Sequence, residues 1–429
     1  MESSRPLATA SGGGRQAASI PFVSGNRFET AVLGCWVLTL VVICFHAGIN
    51  PGTHSVFIDY WHAGARWIRG EYLYPHNNQF LYSPLAAAWF APFALLPQAL
   101  GGILWRLLSA IALILGARMS GRMAWPGTSG VRWTAWGLAA LLPLSLSNLN
   151  NGQVGVLITA LLLFGIVFCA SGRWQITAAC FAIATIFKLY PIAVALLLAA
   201  LYPGKLSWRL ALWLVGLFLL TFLLQHPSYV LTQYQEWFER LANDHRRLKG
   251  AYGTWRDAWL LLRLARVPMT MLAWTTLQLV AGVLAATFCV WGQRSGWNSR
   301  RCLAAAFCLA SAWMTLFGPA TEAATYIILA PAVIFGLITS WSSPHPVWLR
   351  TGMSCTYGLL VAADILNSGL HPAAHVIYVH AVQPFTALIF VGLVLVWLSS
   401  DGLWFRPNSE KSIGLETKAA VKRTNPLPQ

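Results

Sequence analysis

The stretch VFIDYWHAGARWIRGEYLYP, residues 56–75, gathers an acid, an imidazole and two guanidiniums shortly after the apolar run 30–49. Placed on a helix, Asp59, His62, Arg66 and Arg69 fall at spacings of 3, 4 and 3 and share one face. Phe57, Tyr60, Trp61, Gly64, Trp67 and Ile68 fall on the other. This is the pattern of an amphipathic helix lying at a membrane interface, its aromatic stripe toward lipid or neighbouring spans. A charged side chain at bilayer depth costs roughly 2.5–3.5 kcal/mol on insertion scales. Asp59 therefore needs a reason to be there. One reading makes it a catalytic base facing a cavity. The other makes it an N-terminal helix charge that pairs with Arg66 or His62.

Further stretches carry polar groups at the ends of apolar runs. Two tyrosines, a proline and two asparagines lead to Tyr82-Ser83-Pro84 before the next span, a composition that suits either polyol recognition or an interfacial belt. SNLNNGQVGVL, residues 147–157, clusters Asn148, Asn150, Asn151 and Gln153 around Gly152, either as a polar turn or as amides for sugar hydroxyls. FKLYP, residues 187–191, puts Lys188 at a span end, to snorkel or to neutralise a phosphate, with Tyr190 and Pro191 shaping the turn. FGPATEAATYIILAP, residues 317–331, sets Glu322 at the head of a hairpin, as a second acid or as a helix-start charge. His371 and His375 stand four apart without a third close ligand or an HExxH pattern, so no metal site is expected. No Walker A, GxGxxG or GxSxG motif occurs, and no nucleotide or other cofactor is expected.

The elements that must position these residues are apolar helices. Of 429 residues, 57% are hydrophobic and 10% charged, against about 25% charged in a soluble domain. Spans are expected near 30–49, 84–118, 133–149, 154–170, 174–188, 190–204, 208–225, 268–292, 302–317, 324–341, 351–366 and 382–400. Pro92 and Pro97 should break 84–118 into a short and a long helix. The pair 174–204 reads as two crossings, with one crossing as the alternative. The fold expected is an all-α polytopic bundle of twelve transmembrane helices spanning 29–402. Polar tails, 1–28 and 403–429, are expected to be disordered and cytoplasmic, with an uncleaved first span. Arg118, Arg122, Arg132, Arg173, Lys205, Arg209, Arg294, Arg300, Arg301 and Arg350 then share the side of the basic N-terminus, as the positive-inside rule asks. Segment 226–267 is basic on the opposite side, with Arg240, Arg246, Arg247, Lys249, Arg256, Arg263 and Arg266: either the topology differs here or, the reading taken, those cations serve an anionic outer ligand. The net charge of +16 sits in loops and tails, which points to membrane lipids and lipid phosphate rather than nucleic acid. Eight cysteines lie in or beside spans without a CxxC pairing and read as small buried hydrophobes.

Taken in order, FIDYWHAGARWIRGEYLYP, FLYSPLAAAWFAPFALLP, NGQVGVLITALLL and KLYP resemble the bacterial polyprenyl-phosphate-mannose-dependent α-mannosyltransferases, glycosyltransferase family 87 of the GT-C class. The likeness covers residues 30–340 and continues more loosely to 400. It implies a sugar donor on a polyprenyl phosphate, a lipid-linked or glycan acceptor, and transfer at the outer face of the inner membrane. It also implies a general base at Asp59, with Gln153 and the Lys188–Pro191 run at the cavity. Gly318-Pro319-Ala320-Thr321-Glu322 departs from the Trp-x-His often found in the family near this hairpin. Transfer from a lipid phosphate builds negative charge on the leaving group, for which Lys188 and Arg256 are candidates. His62, Arg66, Tyr82, Asn150, Gln153, Tyr190 and Glu322 complete the expected substrate-binding set. The rival reading, a transporter or flippase for a lipid-linked sugar, expects charges deep in mid-span. Here they are read at span ends, with Asp364 the nearest exception. A ligase moving whole oligosaccharides is a second rival.

Overall fold

Residues 27–53, 55–75, 80–243, 255–369 and 377–404 are described by a computed structural model of the chain. The described residues are helical, with no β-strand among them. In order the helices are α1 (Arg27–Ile49), α2 (Phe57–Arg69), α3 (Pro84–Ala94), α4 (Gln98–Ala124), α5 (Thr128–Asn151), α6 (Gly155–Ala170), α7 (Trp174–Phe187) and α8 (Ile192–Leu201). After a π-helical turn at Pro203–Ser207 come α9 (Trp208–Leu224), α10 (Pro227–Ala242), α11 (Ala258–Leu264), α12 (Met271–Arg294) and α13 (Ser299–Leu316). A 3₁₀ turn, Ala323–Ile328, leads into α14 (Ala330–Ser342), α15 (Val347–Gly369) and α16 (Ile377–Ser399). Five segments are long and apolar enough to cross a membrane: Arg27–Ile49, Gln98–Ala124, Pro203–Leu224, Met271–Arg294 and His380–Ser399. The chain is thus a multi-pass helical bundle.

Helix ends gather at two opposite faces. At one, Glu29 of α1 is buried between Arg118 and Arg122 of α4, each 2.8 Å away. On that face Gln293 donates to the Leu201 carbonyl (3.1 Å), and Arg301 to that of Leu398 (2.9 Å). At the other face, Val56 donates to the Asn151 carbonyl (2.9 Å), Gln225 to that of Trp67 (2.9 Å), and the Arg256 amide to that of Thr321 (2.8 Å). α7 and α8 fold back on each other. Trp174 at the start of α7 lies 5.2 Å, ring to ring, from Tyr202 just past α8, and the Lys205 ammonium stands 5.5 Å from the Trp174 ring. Lys188 is therefore the tip of a helical hairpin.

The break in 84–118 falls at Leu95–Pro97, while Pro92 stays inside α3. Leu96, preceding a proline, is pushed away from helical angles, and Trp61 donates to its freed carbonyl (3.0 Å). Pro92 lies two residues before the end of α3, so its missing N–H costs only a bond of the last turn. The cysteines are free thiols. Cys35 and Cys355 lie on the outer surface of the bundle rather than buried.

Candidate active site

The site is built on the turn between α5 and α6. Gly152 adopts φ 67°, closing α5 with its N–H on the Asn148 and Leu149 carbonyls. Arg106, buried in α4, aims its guanidinium at this turn. It donates to the Leu149 (3.0 Å), Asn150 (2.7 Å) and Gly102 (3.0 Å) carbonyls and to Ser55 Oγ (3.1 Å). Trp105 donates to the Gly152 carbonyl (2.9 Å). Asn151 accepts the Val56 amide on both its backbone oxygen (2.9 Å) and Oδ1 (3.0 Å). The start of α2 is thereby fixed one turn ahead of Asp59.

Helix α2 then lies on α3. Gly64 is needed there, because a Cβ would stand 2.6 Å from the Phe90 carbonyl oxygen. Phe57, Tyr60, Gly64 and Trp67 are buried, whereas Ile68 of the expected apolar stripe is exposed. Tyr60 stacks on Phe90 at 4.6 Å, and its hydroxyl is 2.7 Å from that of Tyr82. Burial drives both phenols above the tyrosine range, so both remain neutral donors. The aromatic face of α2 thus meets protein.

On the opposite face Asp59 is half-buried. Its carboxylate makes no ion pair or hydrogen bond with another described residue. Burial raises its pKa, and the neighbouring His62 and Arg66 charges pull it back down. One buried Arg66 nitrogen, Nη1, has no hydrogen-bond partner among the described residues. His62 is exposed. The ion-paired alternative for Asp59 is thus absent among the described residues.

The remaining groups reach this neighbourhood from distant segments. Ser83 donates to the Ile186 carbonyl (2.7 Å), tying the start of α3 to the end of α7. Lys188 follows at the hairpin tip, its ammonium 5.5 Å from the Tyr190 ring. Burial weakens that ammonium, but the Tyr190, Tyr82 and Glu322 oxygens outweigh it and hold Lys188 above the usual lysine range. The buried Tyr190 hydroxyl makes no well-formed hydrogen bond among the described residues, with Lys188 and Thr325 beside it. Glu322 caps the 3₁₀ turn in a reciprocal box with Thr325, its amide 3.1 Å from Thr325 Oγ1. It is exposed, and its charge is felt by Tyr60, Tyr82, Lys188, Tyr190 and Arg256. Arg256 contacts Gln383 Oε1 (3.4 Å), and its carbonyl accepts from the Tyr326 hydroxyl (2.9 Å). Burial lowers the Arg256 pKa, opposed by Tyr326, Glu322 and Asp364.

The structure therefore brings Asp59, Arg66, Tyr82, Lys188, Tyr190, Glu322 and Arg256 into one electrostatic neighbourhood. Asn150 serves it differently: its carbonyl anchors Arg106 while its side chain is exposed. Gln153 is buried beside the same turn, its amide on the Asn148 carbonyl (2.9 Å). Arg240 donates to the Tyr74 (3.0 Å) and Pro75 (3.2 Å) carbonyls. Arg246, Arg247 and Lys249, like His371 and His375, lie outside the described residues. Arg106 is a second charge within an apolar run and corrects the reading that Asp364 is the nearest exception. Its signal was visible in the sequence, as an arginine inside GGILWRLLSA.

The sequence profile described as Glycosyltransferase family 87 matches residues 80–319. A "Polyprenol-phosphate-mannose-dependent alpha-(1-2)-phosphatidylinositol mannoside mannosyltransferase" of Mycobacterium tuberculosis is 30% identical over 171 residues. That alignment covers 32% of this chain and 39% of the relative, so the chain spans well under half of that protein's length. Among solved structures, ArnT from Cupriavidus metallidurans bound to undecaprenyl phosphate superposes with a TM-score of 0.39 at 14% identity, over 86% of this chain and 77% of that one. With more than half its length matched by the profile, the chain belongs to glycosyltransferase family 87.

Proposed function

We propose that the chain transfers one sugar, mannose, from a polyprenyl phosphate to a hydroxyl of a lipid-linked or glycan acceptor, at the outer face of the bacterial inner membrane. Family membership supports the reaction class, and the donor is carried over from the name of the mycobacterial relative. Twelve helices, α1, α4–α9 and α12–α16, alternate between the two faces and are assigned as crossings. α2, α3, α10 and α11 lie at the site face. Both termini are then cytoplasmic, and the Asp59 face is external.

Asp59 takes the proton of the acceptor hydroxyl. The acceptor oxygen bonds to the anomeric carbon from the side opposite the phosphate, the carbon–phosphate-oxygen bond breaks, and its electron pair leaves on the phosphate. A β-linked donor gives an α-glycoside by single displacement. Lys188, with Arg66 and Arg256, faces the growing negative charge. Tyr82, Tyr190, His62, Gln153 and Glu322 are assigned to the sugar and acceptor. The observation that carries this reading is the half-buried Asp59 carboxylate, unpaired among the described residues yet flanked by cations.

The test is transfer of radiolabelled mannose from polyprenyl-phosphate-mannose to envelope lipids by membranes carrying wild type or Asp59→Asn at matched protein levels. A lost general base should reduce transfer by about 10²–10⁴-fold. Equal transfer by both would remove Asp59 from the chemistry. No transfer by either would remove the donor.

A further inference from the structure

At the face opposite Asp59, between α4, α5, α6, α13 and α14, lies a mostly apolar cavity of 360 Å³, within the usual range of small-ligand sites, about 300–1,000 Å³. Trp125, Phe335 and Trp404 line it, and Trp397 behind them links the rings: Trp125 to Phe335 (5.7 Å), Phe335 to Trp397 (5.7 Å) and Trp397 to Trp404 (5.6 Å). Three of the polar groups in the lining are unsatisfied. Ser120 Oγ, Thr339 Oγ1 and Trp404 Nε1 are all buried with no hydrogen-bond partner among the described residues. Thr339 is 1% exposed. Other buried threonines, Thr159, Thr185 and Thr386, each donate to the carbonyl four residues earlier. Thr339 leaves that bond unmade, and an unmade bond at a buried hydroxyl is costly unless something else fills it.

The mouth is cationic. Exposed Arg300 lines it and makes no bond with another described residue, while nearby Arg118, Arg122, Arg301 and Arg350 are all occupied by Glu29, Asp401 or backbone carbonyls. Arg300 also stands in the first turn of α13, whose N-terminus adds partial positive charge. Guanidinium, indole N–H and helix amides only donate, so the occupant must carry acceptors and negative charge at one end and hydrocarbon at the other.

We infer that this cavity is a lipid site, separate from the transfer site, that takes an anionic glycerophospholipid. The phosphate sits at Arg300 and the α13 N-terminus, the ester carbonyls accept from Ser120, Thr339 and Trp404, and one acyl chain fills the ring-lined interior. The inference is independent of the glycosyl-transfer reading.

The probe is an equimolar mixture of dioleoyl phosphatidylglycerol and dioleoyl phosphatidylcholine, offered to the purified full chain in detergent and read by native mass spectrometry. Wild type should retain one phosphatidylglycerol with about fivefold preference, the upper range for an exposed charge pair. Arg300→Gln should bring the two lipids to parity. Thr339→Val should weaken retention of both without lowering thermal stability, because it deletes a buried hydroxyl that the protein itself does not bond. Ala304→Phe, which fills the cavity, should abolish retention. Equal retention of both lipids by wild type, retention of neither, or indifference to Arg300→Gln and Thr339→Val would each overturn the site. So would displacement of the lipid by millimolar inorganic phosphate.

Discussion

A carboxylate serves as a base only while ionised, and the surroundings of Asp59 pull in opposite directions. Burial favours the protonated acid, and His62 and Arg66 favour the carboxylate. In the proposed reaction, transfer is low where Asp59 is protonated and rises as pH climbs through its pKa. Removing the Arg66 charge takes away a term that lowers that pKa. Arg66→Gln should therefore move the acidic limb of the kcat/KM profile to higher pH, and Arg66→Lys should leave it near the wild-type position. A limb that does not move in Arg66→Gln would mean that another group sets it. Lys188 is held above the usual lysine range and so stays charged, and Lys188→Met should depress transfer at every pH without shifting the acidic limb. The loss would be about 10²–10³-fold if the ammonium meets the leaving phosphate.

Among the elements, α2 was the most legible in the sequence. Its two stripes recur within thirteen residues, and a period of 3.6 needs no knowledge of the rest of the chain. What holds α2 in place was not legible. The turn at Asn148–Gln153 reads as a cluster of amides, but apart from Asn151 Oδ1, which accepts the Val56 amide, its structural work is done by backbone carbonyls, which every residue has. Those carbonyls are gathered by Arg106 from a different helix, 43 residues away. The convergence of Lys188, Glu322 and Arg256 on one face likewise depends on how three distant hairpins pack, which no local spacing encodes. Arg106 yields the prediction at this scale. Arg106→Met leaves the Leu149 and Asn150 carbonyls without their donor, and the variant should lose about 2–4 kcal/mol of stability. Its transfer activity should fall as well, because Asp59 is no longer fixed. Thermal unfolding in detergent, set beside the transfer rate of the folded fraction, separates the two effects. Arg106→Lys should recover only part of either, since one ammonium cannot reproduce the planar fork that reaches four acceptors.

For the whole molecule, the two faces defined by helix ends carry the proposed sidedness. Single cysteines placed at Thr53, Gly70 and Leu189 should react with a membrane-impermeant maleimide in intact spheroplasts. Those at Gly172, Gly204 and Ser295 should react only after lysis, each scored against the labelling of the native thiols. Labelling of Leu189 from the same side as Gly172 would make 174–204 a single crossing and reverse every later assignment. The folded-back α7 and α8 also bear on the membrane itself. At about 1.5 Å per residue their 14 and 10 residues reach only about 21 and 15 Å, short of the roughly 30 Å oil layer of a bilayer. A hairpin that stops short draws the lipid surface down toward its tip. In the proposed orientation Lys188 then stands at the bottom of a dimple, where a carrier's phosphate can meet it while the first isoprene units stay in oil. Thin bilayers already have that shape, so the reaction should run faster in short-chain lipids than in long-chain ones, making membrane thickness a control on its speed.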